Sequence, residues 1–325
     1  MSSLTGDLRS HGQFTRRAAT ASLSVAFTLL LLKAVAEWRT GSVAMLGSLA
    51  DSTLDLVASL VTLLGVRWAA MPADHEHRFG HGKAEALAAL FQVTLITMAA
   101  VAIAWESIRR FGAGQATEAP ATGIGVSVIA IVLSLALVSY QKRIIARTGS
   151  LAISTDHLHY QSDLFLNLSV ITALILDHYF AIRGADQLFG LGIALWLARG
   201  AWASAMDAVD HLMDKEWPLA DRQHFLEVAM RNPQLHGIHD MRTRMSGASR
   251  FVQFHASVDP EMTVRQAHEV MDEVEEALGK DFPGVDILIH PDPHGYEAFR
   301  EQENPLRGAE AQEILQQEMD GRAGD

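Results

Sequence analysis

Long apolar segments recur through the first two thirds of this 325-residue chain. Six of them reach about 20 residues or more, the length that an α-helix needs to cross the roughly 30 Å hydrocarbon core of a bilayer. Because lipid offers the backbone no hydrogen-bond partners, the pattern predicts an α-helical membrane domain at 15–210, preceded by a polar N-terminal tail at 1–14. The predicted spans cover residues 15–38, 41–69, 84–111, 121–145, 150–179 and 185–210.

The basic residues at the span ends favour one orientation of this domain. Arg16, Arg17 and Lys142 lie at ends that share a side with the N-terminus, whereas Arg39 and Arg183 lie at the opposite ends. Basic residues are more numerous on the first side, so the positive-inside tendency predicts that both termini are cytoplasmic. Because a full-length span follows the polar tail, no cleavable signal peptide is expected.

Two predicted spans carry pairs of metal-ligating residues. Asp51 and Asp55 lie four residues apart in the second span, and His159 and Asp163 have the same spacing in the fifth. Each pair therefore shares one face of its helix, and both pairs lie near the middle of the bilayer. Ionisable groups at this depth are costly and indicate a functional site. Three carboxylates and an imidazole suit a divalent transition metal, so antiparallel packing of the two helices predicts a membrane metal-ion transporter.

The loop between the second and third spans is dense in imidazoles and carboxylates. It runs from Asp74 to Lys83, and Asp74, His77 and His81 are predicted to form a second metal site at the membrane surface. Gly80 and Gly82 allow the backbone to turn tightly before the third helix. A solvated polar loop whose histidines only titrate is an equally good interpretation of the same spacing.

After about residue 211 the pattern becomes that of a small soluble domain, predicted at 211–293. Its αββαβ order is typical of a compact two-layer α+β unit. The predicted helices cover 220–231 and 264–278, and the strands cover 238–245, 251–258 and 285–290. Five groups on these elements or at their ends together favour metal binding, although each alone is more often an ordinary surface residue: His239, His255, His268, His290 and Asp292.

Composition limits the remaining possibilities. The net charge of −12 is concentrated in the second part of the chain, which argues against a nucleic-acid partner. The sequence has no cysteine, so disulfides, thiolate metal sites and thiol catalysis are excluded. The acidic, glutamine-rich C-terminal tail at 294–325 receives no predicted chemistry.

Several motifs make the chain resemble the cation diffusion facilitator family, and within it the bacterial YiiP-type branch of zinc transporters. The resemblance covers about residues 15–293, and it implies six transmembrane helices, a cytoplasmic metallochaperone-like αββαβ domain and a homodimer in the bacterial inner membrane. The motifs are Leu49-Ala-Asp-Ser-Thr-Leu-Asp, His77-Arg-Phe-Gly-His-Gly-Lys-Ala-Glu, His159-Tyr-Gln-Ser-Asp, His239-Asp-Met-Arg-Thr-Arg and Ile289-His-Pro-Asp-Pro.

The resemblance also implies roles for particular residues. Lys83 and Asp214 would form a charge interlock between protomers, while the His75-Glu76 pair departs from the family pattern in the loop. The implied metal sites are a transport site of Asp51, Asp55, His159 and Asp163, a loop site of Asp74, His77 and His81, and a cytoplasmic two-metal cluster of His239, His255, His268, His290 and Asp292.

These residues predict proton-coupled antiport by alternating access, because protons and metal compete for the same deprotonated ligands. His159 is the expected proton acceptor when metal leaves. Zn²⁺ is the expected substrate and regulatory ligand, with Fe²⁺, Cd²⁺, Co²⁺ and Mn²⁺ as alternatives. A membrane metal sensor without transport and an intramembrane metallohydrolase are alternatives from other classes. No HExxH or GxSxG motif occurs in the spans, so an enzyme is not expected.

Overall fold

The computed structural model describes residues 2–40, 43–113, 121–180, 185–295 and residue 316. Its contacts divide the chain into two units, one formed by Asp7–Leu212 and the other mainly by the residues from Met213 onward. The boundary predicted from the sequence lies near residue 211. Most of the predicted acidic tail lies outside the described residues.

Six long helices form the first unit. Helix α1 begins at Ser2, so the segment predicted as a polar tail is the first part of this helix. The other five helices begin and end within about three residues of their predicted spans. The helices are α1 (Ser2–Thr40), α2 (Val43–Ala69), α3 (Ala84–Ala113), α4 (Ala121–Thr148), α5 (Leu151–Phe180) and α6 (Ala185–Leu212).

Five of these helices are long and apolar enough, over their described residues, to cross a membrane: α1, α2, α3, α4 and α6. Helix α5 matches them in length but carries Asp156, His159 and Asp163. It packs against α2, α3, α4 and α6. Polar side chains on a helix surrounded in this way can face protein instead of lipid.

The outer surface of this unit is apolar, as a lipid-facing surface requires. Phe27, Trp105 and Leu195 are among the large hydrophobic side chains that stay exposed. Small residues occupy the contacts between helices and allow close packing. At the α2–α3 contact, a Cβ added to Gly65 would lie 2.4 Å from the Cβ of Ala88, so only glycine fits there.

The Gly65→Ala variant should destabilise the membrane unit by about 1–3 kcal/mol, because the added methyl group forces α2 and α3 apart. Gly192→Ala is the matched control, since nothing lies within 4 Å of a Cβ added on that exposed helix position. Thermal melting of the detergent-solubilised protein, followed by gel filtration, measures both. Equal melting temperatures for Gly65→Ala and wild type would contradict the close contact.

The second unit has the predicted αββαβ order. Strand β2 is central, pairing with β1 in antiparallel and with β3 in parallel orientation. The parallel pair requires a crossover, which α8 provides. The elements are α7 (Leu219–Ala229), β1 (Gly237–Ser246), β2 (Ser249–Val258), α8 (Val264–Asp281) and β3 (Val285–Pro293).

Strand alternation separates the core of this unit from its histidines. Val252, Phe254 and Ala256 of β2 are buried in the hydrophobic core with residues of α7 and α8. Because successive side chains point to opposite faces of a strand, His255 lies on the other face. The hydrophobic pattern that builds the core thus also directs the potential ligand away from it.

Candidate metal centres

Asp55 on α2 contacts His159 and lies close to Asp163, both on α5. The Nε2 atom of His159 is 3.1 Å from Oδ1 of Asp55 and 3.9 Å from Oδ2 of Asp163. One potential ligand atom from each of the three residues lies within 4.8 Å of the other two. Nitrogen and oxygen ligands at this spacing can close around a single divalent cation after small side-chain movements. The side chains are 14–29% exposed, so an ion can reach them.

Asp51, the fourth predicted member, does not belong to this group of three. It lies one helical turn before Asp55 and is exposed. It is near enough to interact electrostatically with both Asp55 and Asp163. Asp51 therefore adds negative charge beside the three converging side chains.

The order of contacts along the two helices explains why these residues meet. Asp55 contacts His159, and one turn further along α2 the hydroxyl of Ser59 lies 2.9 Å from that of Tyr160. Asp55 and Ser59 lie one turn apart on α2 and therefore share a face of that helix. This face meets two consecutive residues near the middle of α5, and the two polar contacts link α2 to α5.

The loop residues Asp74, His77 and His81 also converge. The Oδ1 atom of Asp74 is 3.3 Å from Nδ1 of His77, and its Oδ2 atom is 3.3 Å from Nε2 of His81. The two imidazole centroids are 4.5 Å apart. These three residues form the second group able to hold a metal ion.

A tight turn holds this loop. The backbone N–H groups of His77 and Glu76 donate to Oδ1 of Asp74, and Gly80 has a φ of 78° that favours glycine. The hydrogen bond from the His77 backbone is the main cause that lowers the pKa of Asp74. Asp74 therefore stays ionised and able to bind a cation. Of the His75-Glu76 pair, which departs from the family pattern, Glu76 contributes a backbone N–H donor to the turn.

Three histidines form a row across the sheet of the second unit. His255 on β2 pairs with His239 on β1 and with His290 on β3. Side chains of directly paired residues project from the same face, so the three imidazoles are neighbours. Their ring centroids are 5.3 Å apart for His239–His255 and 4.6 Å apart for His255–His290.

Asp292 joins these three imidazoles. Its Oδ2 atom is 2.7 Å from Nδ1 of His255 and 3.2 Å from Nε2 of His239, and its Oδ1 atom is 3.3 Å from Nε2 of His290. Burial favours a higher pKa for Asp292, but the hydrogen bond and charge of His255, with contributions from His290 and His239, lower it overall. With both oxygens in use, this carboxylate can bridge two metal ions.

Asp240, which the sequence patterns did not single out as a ligand, also approaches this cluster. In a regular strand it would point away from His239, but the register of β1 shifts between His239 and Arg242, and Asp240 has a φ of 47°. This bulge brings Oδ2 of Asp240 to 3.8 Å from Nε2 of His255, while Arg242 also pairs with Asp240. In the sequence, only its position next to His239 indicated that Asp240 could lie near this cluster.

The structure does not bring His268 together with the other predicted members of this cluster. His268 lies on α8 with a side chain that is 75% exposed, and its Nδ1 atom is 3.8 Å from Asp272 on the same helix. Among the described residues of the second unit, the group that can hold a metal comprises His239, His255 and Asp292. His290 lies against the second oxygen of Asp292.

The predicted interlock between Lys83 and Asp214 stays a prediction. The Nζ atom of Lys83 donates to the backbone oxygen of Leu212 at 3.2 Å. Leu212 ends α6, and the partial negative charge at the C-terminal end of a helix attracts a cation. Asp214 has a φ of 56° and its Oδ1 atom lies 3.8 Å from Arg244.

Replacing Asp292 with Ala should weaken zinc binding to the second unit by at least about 10-fold, because outer and bridging carboxylates commonly have effects of 10- to 100-fold. Asp272→Ala, which removes the carboxylate near the exposed His268, is the matched control and should leave binding unchanged. Competition with a chromophoric chelator on the full-length protein measures both. Equal affinities for the two variants would contradict the central role of Asp292.

Comparison with known proteins agrees with this architecture. Residues 19–213 match the family described as the cation efflux transmembrane domain, and residues 217–294 match the cation efflux protein cytoplasmic domain. The cation-efflux pumps FieF of Salmonella agona and Salmonella newport are each 42% identical over 285 residues, covering 88% of this chain and 95% of theirs.

Two solved structures are similar to about a quarter of this chain. The metal-bound C-terminal domain of the CzcD transporter from Thermotoga maritima is 29% identical, covering 23% of this chain and 91% of its own, with a TM-score of 0.23. The putative zinc transporter CzrB in its Zn form is 35% identical, covering 26% and 96%, with a TM-score of 0.23.

The two family matches together cover most of the described chain, and the FieF pumps are similar over 88% of the whole chain. Members of this family are transporters, which rules out the predicted alternative of an intramembrane hydrolase. The chain belongs to the cation efflux, or cation diffusion facilitator, family of multi-pass membrane transporters.

Proposed function

We propose that the protein is a homodimeric, proton-coupled antiporter that exports divalent transition metals, with Zn²⁺ as its main substrate, from the cytoplasm. The observation that carries this proposal is the convergence of Asp55, His159 and Asp163 from two helices of the membrane unit. Membership of a cation efflux family supports the direction of transport. The ligand chemistry supports the choice of metal.

Zinc suits the transport site because it imposes no geometry through its d-electrons and accepts mixed nitrogen and oxygen ligands. Asp55, His159 and Asp163 supply three ligands, and Asp51 is the proposed fourth. Its position one turn from Asp55 puts it within reach after a rotamer change. Fe²⁺, Cd²⁺, Co²⁺ and Mn²⁺ can use the same ligands, so availability and geometry set the preference among them.

Proton coupling follows from the chemistry of these ligands. Zinc binds only deprotonated carboxylates and neutral imidazole, so metal and protons exclude each other at the site. The hydrogen bond between His159 and Asp55 provides a place for a proton once the metal has left. Alternating access would then expose the metal-bearing site to one side and the protonated site to the other.

The other two centres receive auxiliary roles in this proposal. Asp74, His77 and His81 lie in the α2–α3 loop, where a metal would connect the ends of α2 and α3. His239, His255, His290 and Asp292 would bind cytosolic metal and stabilise a transport-competent dimer. The match to a cytoplasmic domain supports this placement, in a bacterial inner membrane with both termini cytoplasmic.

Replacing Asp55 with Ala should abolish zinc flux, since His159 loses its partner and the site loses a ligand. Purified protein in liposomes with an internal zinc-sensitive dye measures the flux. The matched control is Glu106→Gln, which removes a carboxylate of α3 that pairs with exposed Arg109 and Arg110. Unchanged flux in folded Asp55→Ala protein would contradict the transport site, and absent flux in wild type would favour the metal-sensor alternative.

The proposed exchange of metal for protons, which move in the opposite direction, gives a separate test. With a pH gradient imposed across the liposome membrane, zinc uptake should accelerate when protons can move against the metal, and a protonophore should remove that acceleration. Parallel measurements with Fe²⁺, Cd²⁺, Co²⁺ and Mn²⁺ rank the substrates. Zinc flux that is insensitive to the gradient in both directions would contradict antiport while leaving metal transport intact.

A further inference from the structure

Asp156 is a fully buried carboxylate on α5 that belongs to none of the three metal centres. Its exposed fraction is 0%. The Nε2 atom of Gln92 on α3 donates to its Oδ1 atom at 2.9 Å, and the Nε2 atom of Gln141 on α4 donates to its Oδ2 atom at 2.7 Å. A buried carboxylate is tolerated only when such donors replace water, so each oxygen of Asp156 ties α5 to a different helix.

The same two amides extend these links to α2 and α1. Gln92 also donates to the hydroxyl of Thr62 on α2 at 2.6 Å, and Gln141 also donates to that of Ser22 on α1 at 3.0 Å. All of these side chains are almost completely buried. Asp156, Gln92, Gln141, Thr62 and Ser22, here called the Asp156 node, connect five helices.

The node lies directly beside the proposed transport site. Asp156 precedes His159 by three residues, which is about 4.5 Å along the helix axis. Thr62 follows Asp55 by seven residues and therefore lies on the same face of α2. The Thr62–Gln92–Asp156 chain thus connects the two helices that carry the converging ligands, next to the Ser59–Tyr160 hydrogen bond.

Exposure differs on the two sides of the converging ligands. Asp51 is exposed on one side, whereas Ser59, Tyr160 and the node on the other side are sealed from solvent. A sealed hydrogen-bonded layer fixes the rotation and height of α5 more firmly than apolar contacts, because a shift would leave buried polar atoms without partners.

We propose that Asp156 is a positioning residue of the transport site: by accepting from Gln92 and Gln141, it holds α5 so that His159 and Asp163 face Asp55. The inference rests on the proposed function of that site. Asp156 acts through hydrogen bonding and does not itself carry metal or protons.

The two glutamine amides make it possible to distinguish a hydrogen-bonding role of Asp156 from a role that needs its negative charge. The Oε1 atoms of Gln92 and Gln141 are buried and have no hydrogen-bond partner within the described residues. If Asp156 is replaced with Asn, the new Nδ2 donor can pair with Oε1 of a glutamine whose amide has turned over. Asp156→Asn therefore preserves both links without charge, whereas Asp156→Leu removes both.

The test measures zinc uptake by each variant in liposomes, together with zinc affinity of the purified protein. For Asp156→Leu we expect the KM for zinc to rise by about 10- to 100-fold, the effect typical of residues that orient metal ligands, with a smaller change in kcat. The KM of Asp156→Asn should stay within about threefold of wild type, given the preserved hydrogen bonds. Glu106→Gln, outside the node, is the control.

Gln141→Leu provides a second route if Asp156→Leu fails to fold, since it removes only one donor and should raise KM in the same direction. An Asp156→Asn protein as defective as the Leu variant, or an unchanged KM in folded Asp156→Leu and Gln141→Leu proteins, would overturn the inference. The Asp55→Ala variant distinguishes a failure of the role of Asp156 from a failure of the proposed transport site. If it abolishes flux while the node variants behave as wild type, the inference alone fails, and if it leaves flux intact, the transport site itself fails.

Discussion

The hydrogen bond between Nε2 of His159 and Oδ1 of Asp55 is the interaction on which the membrane unit depends. Neither group can be buried between helices alone without a large loss of solvation free energy, and the loss is reduced only when the two meet. Their pairing therefore requires α2 and α5 to approach with these faces opposed. Asp163 and the charge of Asp51 then accumulate at the same place and make it attractive to a dication. The same concentration of charged groups that costs free energy on folding therefore attracts a divalent cation.

Much of this arrangement could be predicted from local spacing. The i, i+4 pairs at 51/55 and 159/163 fix which side chains share a face, and helix rise fixes their depth. In the second unit, period-two alternation around Phe254 predicts both the core face and the opposite face that carries His255. The fold class and the family were confirmed, because long apolar spans and strand alternation are strong signals that tertiary contacts rarely override.

The parts that sequence could not predict depend on contacts between distant segments. Asp156 gave no sign of its partners, since helical periodicity does not say that Gln92 and Gln141, on two other helices, point at it. Asp240 was missed for a different reason: a bulge in β1 reverses the direction that regular alternation assigns to its side chain. His268 shows the converse, because a residue type that suits a metal site lies on an exposed helix surface away from the other ligands.

The three centres differ in what holds their ligands, and this difference bears on which of them can move. His239, His255 and His290 lie on strands joined by backbone hydrogen bonds, so their spacing is fixed by the sheet register. Asp74, His77 and His81 belong to one turn whose backbone closes on Asp74. By contrast, Asp55 and His159 lie on separate helices that are joined mainly by side chains. Such helices can shift as rigid bodies while their internal hydrogen bonds stay intact. The alternating exposure proposed for a bound ion is therefore mechanically possible at the α2–α5 site, whereas the proposed ligands of the other two centres are held too locally to separate.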